Sequence, residues 1–180
     1  MSTLSNIAFI GGIHGVGKST VCQDICHQLK MKHLSASELL KWKDINVDEL
    51  NKKVIDVHLT QNRLILGLKE TVQKENSYLL DGHYCLLNQE NEIVKISFDT
   101  FREINPFSLN IIMGEISLIR KRLESRDNKI YEYDLLERLQ NEELLHAKNL
   151  SKTLGITLNI GTQNDYSEIL NSLRKSLVYK

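Results

Sequence analysis

The chain has 180 residues, 23 of them basic and 23 acidic. That balance removes any global attraction to nucleic acid or to an acidic membrane surface, and the length suits one compact domain with its own core. No stretch approaches the about 20 apolar residues that a membrane-spanning helix needs, and no signal peptide is legible, so a cytoplasmic protein is expected.

Residues 7–10 form a short apolar run that stops at Gly11-Gly12, the pattern of a buried strand. A helix is expected over 18–30, with Val21, Ile25 and Leu29 inward. Cys22 and Cys26, four apart on one face of it, read as packing residues. Three cysteines without a CxxC pair argue against a disulfide framework and against zinc. A second short strand is expected over 31–34. Ser35 or Ser37 then offers an N-cap for a short helix through Trp42, and Asp48 offers one for a long helix to about residue 72. Residues 78–80 read as a strand that ends in Asp81. Residues 82–108 read as irregular, with a small hairpin near 88–91. A strand over 109–113, a helix over 116–124 and a polar loop over 125–133 follow. Asp134 offers an N-cap for a helix to about residue 154. A last strand (157–160) and a last helix (166–177) complete the pattern. Short apolar strands alternating with helices predict an α/β fold, a five-stranded parallel sheet with helices on both faces. Ligands of such sheets bind beyond the carboxyl ends of the strands.

The first such end carries Gly12-Ile13-His14-Gly15-Val16-Gly17-Lys18-Ser19-Thr20, which satisfies GxxxxGK[ST] between a strand and a helix. Its glycines let successive main-chain N–H groups turn towards phosphate oxygens, and the following helix adds its unpaired first N–H groups and the positive end of its dipole. Lys18 can reach the β- and γ-phosphates, and the Ser19 hydroxyl can ligate magnesium. A nucleoside triphosphate, ATP, with Mg2+ is the expected ligand, held by Gly12, His14, Gly15, Val16, Gly17, Lys18, Ser19 and Thr20 in a P-loop NTPase-type three-layer fold. Asp81, delivered by a strand, is the expected second metal-binding residue.

Arg122 and Arg126 cluster just before and in the polar loop, and Arg138 follows it. Arginines there can neutralise charge on a moving phosphoryl group. A guanine-reading NKxD is missing, since Tyr131 follows Asn128-Lys129-Ile130.

The order P-loop, His33-Leu34-Ser35-Ala36-Ser37-Glu38-Leu39-Leu40-Lys41, Asp81-Gly82-His83, then Arg122 and Arg126-Asp127 resembles the adenylate kinase and nucleoside monophosphate kinase family. It is most similar to the archaeal-type adenylate kinases, which share the Asp-x-His and an Asn-Pro, here Asn105-Pro106. The resemblance spans about residues 7–160. It implies a single P-loop kinase domain over 1–180, with an acceptor-binding segment near 35–75 and a lid near 125–133. It implies ATP-dependent transfer to a nucleoside monophosphate, with Ser35, Lys41 and His83 at the acceptor. The family's threonine and arginine in the acceptor segment stand here as Ala36 and Lys41, and its Asp-Gly-Phe-Pro-Arg as Asp81-Gly82-His83-Tyr84-Cys85. Gln61 and Asn62 are candidates for reading a base edge. A hydroxyl-bearing metabolite is the alternative acceptor, with Glu38 as its candidate base. A third reading is an ATP-binding regulator of a protein partner.

Overall fold

The structure, a computed structural model, describes residues 5–40 and 57–178. In chain order its elements are β1 (Ile7–Gly11), α1 (Lys18–Leu29), β2 (Lys32–Ser35), α2 (Ala36–Leu40), α3 (Val57–Thr71), β3 (Tyr78–Asp81), β4 (Cys85–Leu87), β5 (Ile93–Lys95), α4 (Phe98–Ile104), β6 (Ser108–Met113), α5 (Ile116–Asp127), α6 (Tyr133–Leu154), β7 (Leu158–Thr162) and α7 (Ser167–Val178). Five strands pair in parallel in the order β2-β3-β1-β6-β7. This is the expected P-loop NTPase-type α/β architecture.

The alternation of side chains along each strand divides the core between the two faces. Ile7, Phe9, Tyr78, Leu80, Leu109 and Ile111 meet α2, α3, α4 and the second half of α6. Ala8, Ile10, Leu79 and Ile112 meet α1, α5, α7 and the start of α6. Because β1 is buried on both faces, it reads as an unbroken apolar run. A strand so placed also has to satisfy the polar side chains beside it. Asn110 of β6 donates from Nδ2 to the Phe9 carbonyl (2.9 Å) and accepts at Oδ1 from Asn159 Nδ2 of β7 (2.9 Å), so one buried amide joins three strands.

Element bounds follow the sequence reading with small shifts, the hairpin expected near 88–91 is present, and the rest of residues 82–108 is more regular than expected. The hairpin, β4–β5, is antiparallel, turned by Asn88 and by Asn91, whose φ is 63°. The same stretch carries α4, whose N-cap Ser97 accepts from the Thr100 N–H. Helix α5 runs on to Asp127 and α6 starts at Tyr133, so only residues 128–132 separate them. The three cysteines are buried free thiols, as packing residues are. Among the described residues no helix is long and apolar enough to cross a membrane. Lys41, Trp42 and Asp48 lie outside the described residues.

Candidate active site

Strand β1 ends in the loop that opens α1. Gly15 and Gly17 take φ values of 78° and 94°, in the left-handed region that favours glycine. Gly17 is the N-cap of α1, with no side chain capping it and no acid in the first turn. The first N–H groups of α1 and its positive dipole end therefore face a cavity of about 300 Å³. His14, Gly15, Gly17, Lys18, Ser19 and Thr20 line that cavity, with Arg122, Arg126 and Gln163. Its lining has three strong cations and, among the described residues, no carboxylate. The Gln163 Oε1 is buried without a hydrogen-bond partner, and a Cβ on Gly17 would meet the Gln163 side chain at 2.5 Å. A backbone cradle, a cationic wall and one unused acceptor fit a polyphosphate and the polar edge of its carrier.

Lys18 is buried. Its Nζ donates to the Gly12 carbonyl (3.0 Å) and lies 3.1 Å from Asp81 Oδ1. His33 Nε2 stands 3.6 Å from the other carboxylate oxygen. Burial pushes the Asp81 carboxyl up, but His33 and Lys18 outweigh it and hold it down at about 2. The pair exists because β1 and β3 are neighbours in register, Ile10 against Asp81. Asp81 and the Ser19 hydroxyl offer hard oxygen ligands of the kind magnesium takes.

A second cavity, of about 140 Å³, opens on the other side of the loop. Its wall is apolar at Phe9, Leu40, Leu64 and Phe101, and polar at Ser35, Ser37, Thr60, Gln61 and Thr100. Gln61 Oε1 accepts from the Ser97 hydroxyl (3.0 Å) and from the Thr100 hydroxyl. His14, Lys18 and Ser19 line both cavities, so the loop is the wall between them.

Glu143 of α6 is fully buried behind this wall. Its Oε2 accepts from the Gly12 N–H (3.2 Å), and its Oε1 accepts from the Tyr84 and Cys85 N–H groups (3.1 and 3.2 Å). His83 Nδ1 lies 3.4 Å from the same Oε1, and the His83 ring centroid is 4.3 Å from that of His14. Burial pushes the Glu143 carboxyl up to about 7, against Lys18 and the three N–H donors, which act to lower it.

The structure thus brings together His14, Gly15, Gly17, Lys18, Ser19, Thr20, Ser35, Asp81, His83, Arg122 and Arg126 around the two cavities. Gly12 opens the loop, and Val16 packs in the core beneath it. Arg122 donates to the Gly15 carbonyl (3.2 Å). Arg126 makes a bidentate pair with Asp127 (2.5 and 2.7 Å). Arg138 is not brought to the site. It is exposed and lines neither cavity, because α6 turns Leu136, Leu139, Gln140 and Glu143 inward and leaves position 138 on the opposite side. Glu38 is exposed and lines neither cavity, and so does Asn62. Lys41 lies outside the described residues.

The sequence reading passed over Glu143 and Gln163. An acid on the apolar stripe of α6, four residues before Ala147 and seven before Leu150, is the signal for the first. The second follows the last strand at its carboxyl end.

The sequence pattern of the AAA domain family matches residues 11–140. Among solved structures, the chain is similar to a gluconokinase from Sinorhizobium meliloti 1021, with a TM-score of 0.54 and 13% identity over 99% of this chain and 98% of that one. It is similar as well to an uncharacterized protein from Eubacterium ventriosum ATCC 27560, with a TM-score of 0.51 and 14% identity over 97% and 98%. At such identities the likeness is one of fold. No curated protein matches the chain by sequence.

Proposed function

The chain belongs to the AAA domain family, and from that premise we propose that it is an ATP-dependent phosphotransferase, a nucleoside monophosphate kinase of adenylate kinase type. The observation that carries this reading is the shared wall. His14, Lys18 and Ser19 border both the larger, cationic cavity and the smaller, mixed one. Transfer between two bound molecules needs them on either side of one charge-neutralising group, held in line.

In this reading ATP occupies the larger cavity, with its phosphates against the α1 N-terminus, Lys18, Arg122 and Arg126. Ser19 and Asp81 would hold magnesium, which when bound neutralises charge on the phosphate oxygens. The acceptor occupies the smaller cavity, its base against Phe9, Leu64 and Phe101 and its polar edge at Thr60 and Gln61. Asp81 is the one carboxylate among the described lining residues, and Lys18 engages it. A phosphate acceptor, already ionised, needs no strong base, which supports a monophosphate. The same proposal treats residues 1–180 as one kinase domain, with 35–75 as the acceptor segment and 125–133 as a lid. Three free thiols suit a reducing, cytoplasmic location.

One observation favours a second reading, transfer to a hydroxyl-bearing metabolite. His83 lines the acceptor cavity and rests on a buried carboxylate, the arrangement that orients a base. The gluconokinase neighbour is a kinase by name and is consistent with it.

A coupled assay with ATP, magnesium and a panel of monophosphates and sugars, with Lys18→Ala as control, tests both. ADP formation that depends on one monophosphate and vanishes in the variant is the expected result. Turnover with a hydroxyl acceptor alone would move the assignment to the second reading. Tight ATP binding without acceptor-stimulated turnover would overturn both, and leave a regulatory nucleotide-binding protein with a protein partner.

A further inference from the structure

A wholly buried carboxylate is rare unless its oxygens are hydrogen-bonded or paired. Each Glu143 oxygen meets donors. Gly12 N–H reaches one, Tyr84 and Cys85 N–H reach the other, and His83 Nδ1 stands beside that second oxygen. Gly12 opens the P-loop, and residues 83–85 follow the strand that delivers Asp81. One side chain from α6 therefore joins the carboxyl ends of two neighbouring strands, β1 and β3.

A carboxylate oxygen facing Nδ1 selects the imidazole tautomer that carries its proton on Nδ1. The ring is then held with Nε2 on the edge away from Glu143, and the His83 side chain lines the acceptor cavity next to His14. A glutamine in place of Glu143 would be nearly isosteric. It would still turn an N–H towards at least one N–H donor, whichever way its amide is flipped.

We propose that Glu143 is a positioning residue that sets the His83 imidazole in its Nδ1–H form on the lining of the smaller cavity, in register with the P-loop. What His83 then does for the acceptor rests on the phosphotransfer reading, whereas its tautomer and position do not.

The test has two arms on the full chain. The first is the long-range ¹⁵N–¹H spectrum of the histidine rings at alkaline pH, with His83 assigned by His83→Ala. Wild-type protein is expected to show His83 as the Nδ1–H tautomer, and Glu143→Ala, which offers Nδ1 no acceptor, to lose that preference. Wild-type His83 as the Nε2–H tautomer overturns the proposal, even if no Glu143 variant folds. The second arm is a double-mutant cycle on kcat in the acceptor assay. Glu143→Gln and His83→Ala should each lower kcat by about tenfold or more, and the double variant should fall no lower than the worse single. Glu143→Asp, which keeps the carboxylate, should recover part of the loss. Single effects that multiply in the double variant mean that Glu143 acts independently of His83, and they overturn it. Should no acceptor support turnover, the kinase reading fails alone and the spectrum decides this inference.

Discussion

The Tyr84 ring stands where a side chain on Gly11 would be. A Cβ built on Gly11 overlaps the ring and comes within 3.2 Å of Glu143 Oε2. The ring itself is fixed, because its hydroxyl donates to the Asn110 carbonyl (2.9 Å) and its face stacks on Phe101. Gly11→Ala is therefore expected to lower stability by about 1–3 kcal/mol, the usual cost of overpacking a dense core. Urea denaturation curves, compared at equal m-value, measure it.

Lys18 and Asp81 are expected to depend on each other before any ligand binds. Both side chains are about nine-tenths buried. Removing one partner of a buried pair costs about 3–5 kcal/mol where the charge left behind has no other partner; here His33, 3.6 Å from Asp81, offsets part of that cost. Lys18→Ala should melt well below wild type without nucleotide. Lys18→Ala combined with Asp81→Asn should melt higher than Lys18→Ala alone. A double variant no more stable than the single would show that the pair contributes little.

Two arginines of the charged region should behave oppositely. Arg126 lines the larger cavity and Arg138 lines neither. Charge-assisted hydrogen bonds contribute about 1.5–3 kcal/mol, so Arg126→Ala should weaken nucleotide binding by about tenfold or more in a calorimetric titration. Arg138→Ala should leave it unchanged. Asp127 holds Arg126 by both its arms, and Asp127→Asn should tighten nucleotide binding by releasing it.

Stability should fall as pH rises from acid to neutral. Burial raises the Glu143 carboxyl in the folded protein to about 7, from 4.5. Between those values the folded chain keeps a proton that the unfolded chain has released. The linked stabilisation is full below about pH 4.5 and is lost as pH rises through 7. Urea midpoints measured from about pH 5 to pH 8 should decline, and the Glu143→Gln protein should lack that part of the slope.

The parts of this site legible in the sequence are those built from contiguous residues. The loop from Gly12 to Ser19 declares itself because the chemistry of a phosphate cradle is main-chain chemistry, and glycine spacing writes it directly. Asp81 is legible because it closes an apolar strand. Glu143 is not, because its partners lie 58 to 131 positions away and only tertiary packing brings them to α6. The arginines divide the same way. Helical spacing alone cannot tell Arg126 from Arg138 until the inner stripe of α6 is known. Helix α4 is not legible in the sequence because seven residues carry too few turns for a period to emerge.

Among the described residues the two cavities share only His14, Lys18 and Ser19. Beyond Phe9, the remaining walls of the smaller one come from positions 35–104, and those of the larger one from 13–20, 122–126 and 163. In the proposed reading, donor and acceptor specificity are therefore written in separate stretches of the chain. Descendants of such a gene could exchange the middle stretch and acquire a new acceptor while the energy source stayed the same. Chimaeras with junctions at β1 and β6 would follow the same seam.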